Sequence, residues 1–170
     1  ASSAAHVYGR PQVAAESMTA SNAPWAFAPS HLRRVVDLEF ANGINRPVIH
    51  TSVHQPVDDR QPGLSLAVFG QYFTRHETWA GMARPWIDYL SRTSYLLQQG
   101  RDVADVAYFY GEEAPLTALF ASAPLQDVPV RHAFDFVNAE ILLKEMFVQD
   151  GELVTRGGAR YRALYLGGTS

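Results

Sequence analysis

Strand-like and helix-like apolar patterns alternate along this chain, and that alternation restricts the fold more than any other feature. Val13 to Glu16 is a short apolar run closed by Glu16-Ser17. A turn signal, Gly9-Arg10-Pro11, precedes it, and a Ser/Asn/Ala/Pro loop from Thr19 to Pro29 follows. Leu32, Val35, Val36 and Phe40 have helical spacing, with Ser30 expected as the cap and Asn42-Gly43 as the stop. Ile44 to Ile49 reads as a strand, with Pro47 discordant. A polar loop runs from His50 to about Gly63, then an apolar stripe from Trp79 to Leu97 predicts helix, with Pro85 a kink or a boundary between two helices. Gly100 ends it.

The second half repeats the alternation. Val103 to Tyr110 predicts a buried strand, and Gly111-Glu112-Glu113-Ala114-Pro115 opens a short helix. Asn138 to Met146 predicts a capped helix, Asp150-Gly151 a hairpin, and Ala163 to Leu166 a second buried strand. The order is β-α-β-loop-α, then β-α-α-hairpin-β, which implies an α/β fold with parallel sheet. Residues 1–100 read as the last βα units of a (β/α)8 barrel. Residues 101–170 read as the start of a doubly wound α/β domain, with the boundary at Gly100-Arg101-Asp102.

Composition narrows the function classes. The chain has 170 residues, 47% hydrophobic and 18% charged, which is enough apolar side chain for a core and too much for a disordered chain. No apolar run reaches the roughly 18 to 20 residues that span a bilayer, so no membrane partner is expected. The net charge is −3 and the basic residues are scattered, so nucleic acid is not an expected partner either. There are no cysteines, which removes thiolate nucleophiles, disulfides and zinc–cysteine sites together. Lys144 is the only lysine, and it sits in an amphipathic stretch. There is no Walker A sequence, no G-x-G-x-x-G and no G-x-S-x-G elbow.

Several residues can carry chemistry, and each has a plainer reading beside it. Glu16 closes a strand and opens a polar loop, where barrel enzymes place catalytic acids and bases. It equally fits a solvated loop carboxylate or a cap. His50 and His54 are four apart, but Thr51 stands where a zinc protease has its glutamate, and Pro56 makes the segment a loop. They suit hydrogen bonding at a pocket rim, while His50 also fits a satisfied buried histidine. Asp58-Asp59 reads as solvated surface, and Glu77 as a first-turn carboxylate favoured by the helix dipole. Trp79 reads as core, or as the aromatic floor of a sugar site. Gly167-Gly168-Thr169-Ser170 could cradle an anion at a following helix.

An ordered set of motifs gives the chain a family likeness. It comprises Val13-Ala14-Ala15-Glu16-Ser17, Phe40-Ala41-Asn42-Gly43-Ile44-Asn45-Arg46, His50-Thr51-Ser52-Val53-His54-Gln55-Pro56, Arg75-His76-Glu77-Thr78-Trp79 and Leu96-Leu97-Gln98-Gln99-Gly100-Arg101-Asp102-Val103-Ala104-Asp105-Val106. Phe134-Asp135-Phe136-Val137-Asn138 and Tyr161-Arg162-Ala163-Leu164-Tyr165-Leu166 extend it. The set resembles the bacterial α-L-rhamnosidases of glycoside hydrolase family 106, over essentially the whole chain.

The resemblance implies a longer parent enzyme that removes terminal α-L-rhamnose with inversion. This stretch would be the end of its catalytic barrel and the start of a flavodoxin-like or amidotransferase-like α/β domain. Inversion uses two carboxyl groups about 6.5–9.5 Å apart, one protonating the leaving oxygen and one activating water. Glu16 matches the water-activating base, and the acid would lie outside these residues. His50, His54, Gln55 and Trp79 would lie near the sugar. Calcium is implied as a cofactor, with no ligands assigned here. The expected partners are a rhamnosylated glycoside and the rest of the parent polypeptide, and a periplasmic or secreted location is favoured over the cytoplasm. The opening without Met and the Gly-rich end are expected of an internal piece, inactive alone. The competing reading is a non-catalytic α/β module that binds a ligand or partner.

Overall fold

The computed structural model describes residues 1–112 and 128–167. The chain is mixed α/β, with parallel and antiparallel sheets, and divides into two compact units. One is Gln12–Gln99; the other joins Ala1–Pro11 to Gly100–Ser170. The sequence placed residues 1–11 with the first half, but α1 (Ser2–Val7) packs against the second-half strand β4 (Phe134–Val137). The physical reason is burial. Ala5 and Val7 are 8% and 3% exposed, and Val7 belongs to the second unit's core.

In the unit Gln12–Gln99, β1 (Ala14–Ser17) pairs in parallel with β2 (Arg46–Ile49), Glu16 opposite Val48. Asn45 fixes the start of the pair: its Oδ1 accepts the Val13 N–H at 2.8 Å. The crossover is α2 (Pro29–Ala41). Its cap is Ala28 rather than the expected Ser30, because Pro29 takes the first turn, where its missing N–H costs nothing. Leu32, Val36 and Phe40 are buried at a four-residue spacing, while Val35 is 45% exposed and off the stripe. Pro85 proves a boundary: a 3-10 turn at Ala80–Met82 precedes it, and α3 (Arg84–Leu97) starts with proline in its first turn. Trp86 and Leu90 of α3 meet the α2 stripe and Met18 in one core. The later stripe residues Tyr95 and Leu96 are exposed.

In the other unit, β3 (Val106–Phe109) lies between β4 and β8 (Ala163–Leu166), all parallel. β3 is buried as expected. The sequence pattern did not show β4 as a strand. β8 sits at the sheet edge with its residues exposed, against the expectation of burial. A Leu-Tyr-Leu run reports apolar content but not which side of a strand is covered. Asn138 does cap its helical stretch, accepting the Ile141 N–H at 2.9 Å. That stretch then opens into a π turn at Ile141–Glu145 and passes into β5 (Met146–Gln149). β5, β6 (Glu152–Thr155) and β7 (Arg160–Tyr161) form an antiparallel sheet with the expected Asp150-Gly151 turn. The helix expected at Gly111-Glu112-Glu113-Ala114-Pro115 lies, from Glu113 on, outside the described residues. So do Gly168, Thr169 and Ser170 of the expected anion loop.

Candidate active site

Side chains at the carboxyl ends of β1 and β2 are set by alternation. Ala14, Glu16, Arg46 and Val48 lie on an exposed face, whereas Ser17 is 2% exposed on the opposite one. Ser17 is anchored there through a 2.6 Å bond to Glu39 Oε2. Met18 follows with φ +64, in the left-handed region that non-glycine residues rarely occupy. That turn accompanies the return of Thr19, whose hydroxyl donates to Glu16 Oε1 at 3.0 Å. Glu16 is therefore an exposed carboxylate held from one side.

His50 follows β2 directly. Its N–H donates to Ser17 O at 2.9 Å, which joins the two strand ends. Its Nδ1 is buried with no hydrogen-bond partner among the described residues, so it is not the satisfied buried histidine of the plainer reading. His54 is exposed, and its carbonyl accepts the Leu64 N–H at 2.8 Å in an isolated bridge. Gln55 and Trp79 come together in one open pocket of about 420 Å³, with Ser52, Phe73, Thr74 and Arg75 among its other walls. Trp79 stands edge-on to Phe73, with ring centroids 5.5 Å apart. Glu16, His50 and His54 do not line that pocket. Arg75 is paired with Asp58, whose side chain is 95% exposed, in keeping with the surface reading of Asp58-Asp59.

Glu77 departs from the sequence reading. It is 6% exposed and precedes the 3-10 turn, so it is no first-turn helix carboxylate. Gln71 Nε2 donates to Glu77 Oε1 at 2.8 Å, and Glu77 Oε2 accepts the Thr78 N–H at 3.1 Å. Gln71 itself is fully buried. The sequence carried no signal for Gln71, because its partners come from loops that only the fold brings together.

A second polar cluster lies in the other unit. His6 Nδ1 is 2.8 Å from Asp135 Oδ1 and 3.4 Å from Asp102 Oδ2, and the Tyr161 hydroxyl donates to Asp135 Oδ2 at 3.0 Å. The hydrogen bond to Asp135 raises the pKa of His6, against the opposing effect of its burial. Burial, then the Asp135 charge, push the Tyr161 hydroxyl well above the ordinary range. Among the described residues this is the one group of three metal-type side chains close enough to share an ion. It does not fit calcium, which takes six to eight oxygen ligands in most sites. The cluster offers two carboxylates and a nitrogen, and both oxygens of Asp135 already have partners.

Parallel strands with polar groups gathered beyond their carboxyl ends are the usual site geometry of α/β enzymes. Glycoside hydrolase family 106, described as alpha-L-rhamnosidase, matches residues 1–170, and the chain belongs to that family. A solved rhamnosidase from Novosphingobium sp. PP1Y superposes with a TM-score of 0.93 at 63% identity, over 99% of this chain and 16% of that one. A protein of Formosa agariphila named "Putative beta-glucuronidase" is 38% identical over 165 residues, 97% of this chain and 14% of that protein. The chain thus spans about one-seventh of the length of the relatives it matches. Among the described residues no helix is long and apolar enough to cross a membrane.

Proposed function

We propose that this chain is part of a longer glycoside hydrolase that releases terminal α-L-rhamnose with inversion, with Glu16 as the water-activating base. The observation that carries this is the exposed Glu16 carboxylate at the carboxyl end of a parallel strand, in a chain of a rhamnosidase family. On this reading β1, α2 and β2 belong to the end of a (β/α)8 barrel, and the sheet β4-β3-β8 opens a doubly wound, flavodoxin-like domain. The order of that sheet, second strand–first–third, is the order with which flavodoxin-like sheets begin.

In the mechanism, Glu16 takes a proton from the attacking water, and a carboxylic acid outside this chain protonates the leaving oxygen. The Thr19 hydroxyl orients the carboxylate. Gln55 and Trp79 supply a polar and an aromatic wall for a sugar ring, while His50 and His54, outside that pocket on the segment between β2 and Gln55, offer further hydrogen-bonding groups to the sugar. Calcium is implied by family likeness alone, with no ligands assigned, and no step passes through it.

The test is hydrolysis of p-nitrophenyl α-L-rhamnoside by the longer enzyme, wild type against Glu16→Gln. A neutral isostere of a general base should lose about 10²- to 10⁴-fold in kcat. Wild-type turnover with unchanged kcat in Glu16→Gln removes Glu16 from the mechanism. A wild type that cleaves p-nitrophenyl β-glucuronide but no rhamnoside shifts the substrate to the uronide. A wild type that cleaves neither leaves the non-catalytic binding module.

A further inference from the structure

We infer that Gln71 is a positioning residue of this site, whose side chain helps fix the loops that follow Glu16 and β2 in relation to each other. The inference rests on the reading of the β1–β2 end as the active site. Gln71 lies in a strap that bonds to the loops after both strands. Within the strap, Gly70 N–H donates to Ala20 O at 2.8 Å and Tyr72 N–H to Pro24 O at 2.8 Å, both in the loop after β1. Toward β2, the Gln71 N–H donates to His50 O at 3.0 Å, and its carbonyl accepts the Thr51 N–H at 2.8 Å. Phe73 N–H adds a 3.0 Å bond to Thr51 O.

The buried side chain closes the circuit. Gln71 Oε1 accepts the Phe27 N–H at 3.2 Å, at the far end of the β1 loop, while its Nε2 donates to Glu77 at 2.8 Å. Glu77 leads to Trp79 of the pocket. One primary amide therefore meets a backbone donor with its oxygen and a buried carboxylate with its nitrogen. Glutamine supplies both at once, where an ionised glutamate of the same length only accepts. A carboxylate in place of the Gln71 amide would set two acids against each other, and leucine would remove the partner of Phe27 N–H and of Glu77 Oε1. From Gln71 the path to the reacting group is short: Gly70 holds Ala20, and the neighbouring Thr19 holds Glu16.

The experiment compares the longer enzyme carrying Gln71→Glu, Glu77→Gln and both changes together, with kcat, KM and the melting temperature measured for each. In the double variant the polarity of the pair is reversed and every bond can be remade. The carboxylate introduced by Gln71→Glu would accept from Phe27 N–H and from the amide introduced by Glu77→Gln. Misplacement of a reacting group by about 1 Å costs on the order of 10²-fold. Gln71→Glu is expected to lose about 10- to 100-fold in kcat with KM within about threefold, and the double variant to recover most of it. Where Glu16→Gln is slow, a folded Gln71→Glu with wild-type kcat overturns the inference. So does a folded double variant, as stable as wild type, that stays as slow as the single one. If Gln71→Glu does not fold, the double variant decides.

Amide hydrogen exchange at Gly70, Phe27 and Thr51, whose N–H groups make the bonds of the strap, is the readout that needs no activity. Faster exchange there in Gln71→Glu, reversed in the double variant, supports the positioning role even if Glu16→Gln proves fully active. In that case the catalytic reading of Glu16 fails while the loop-fixing role stands. Unchanged exchange sinks the positioning role whatever the kinetics.

Discussion

Gly70 shows how little freedom the loops beyond β1 and β2 have. Its φ is +107, and an added Cβ would meet Thr51 Cγ2 at 2.7 Å and His50 Nδ1 at 3.3 Å. Gly70→Ala therefore combines backbone strain with a contact that must shift, and should destabilise by about 1–3 kcal/mol. Urea unfolding checks the value, and a loss under about 0.5 kcal/mol, the ordinary surface range, would show that the strap yields easily. Thr19→Val keeps the shape of the exposed Thr19 and removes the donor to Glu16. On the general-base reading it should slow the longer enzyme several-fold with little change in stability, and an unchanged kcat would show that Thr19 does not orient Glu16. At this scale the sequence singles out as candidates those residues whose neighbours mark them. Glu16 closes an apolar run, and Gln55 and Trp79 sit in compact polar–aromatic motifs. Gln71 and Asp135 were silent, because Gln71 meets Phe27 across 44 positions and Asp135 meets His6 across 129. No local pattern encodes such a pairing.

Elements were legible where their ends are chemically marked. The Asp150-Gly151 dipeptide forms the tip of the β5–β6 hairpin, with φ of +54 and +80, the primed turn that matches strand twist. Nothing lies within 4 Å of a Cβ placed on Gly151, so the φ alone resists substitution. Gly151→Ala should cost roughly 1–2 kcal/mol. Asn138→Ala removes the cap on Ile141 and should cost about 1 kcal/mol. Chemical denaturation reads both, and equal stability of Asn138→Ala and wild type would mean water replaces the cap. Unmarked elements were missed. α1 has no side-chain cap and spans six residues, too short for a stripe to declare itself. The alternation of β4, Phe134-Asp135-Phe136-Val137, places a carboxylate on the core side, which disguises a buried strand. Asp135 is tolerated there because Tyr161 and His6 both reach it.

At the scale of the whole molecule the chain begins in one unit, builds the other, and returns. Residues 1–11 are joined to the second-half sheet by Val7 in the core and by His6 on Asp135. A division read from composition alone cuts once near Gly100 and cannot see the return. The His6 contact has a pH signature. The groups facing it are Asp135 on β4 and Asp102 before β3, which raise its pKa against the opposing effect of burial. Since the folded pKa lies above the unfolded value near 6.5, protonated His6 stabilises the fold. That contribution is complete below about pH 6.5 and is lost as pH rises through the raised folded value. Hydrogen exchange in β3 and β4 should therefore quicken as the pH rises from about 6.5 through the raised folded value, beyond the intrinsic pH effect on exchange. His6→Gln should remove that excess while leaving the amides of Val36 and Phe40 in α2 as they were. If His6→Gln keeps the same pH dependence as wild type, the attachment of α1 is apolar, through Ala5 and Val7, and the histidine adds nothing to it.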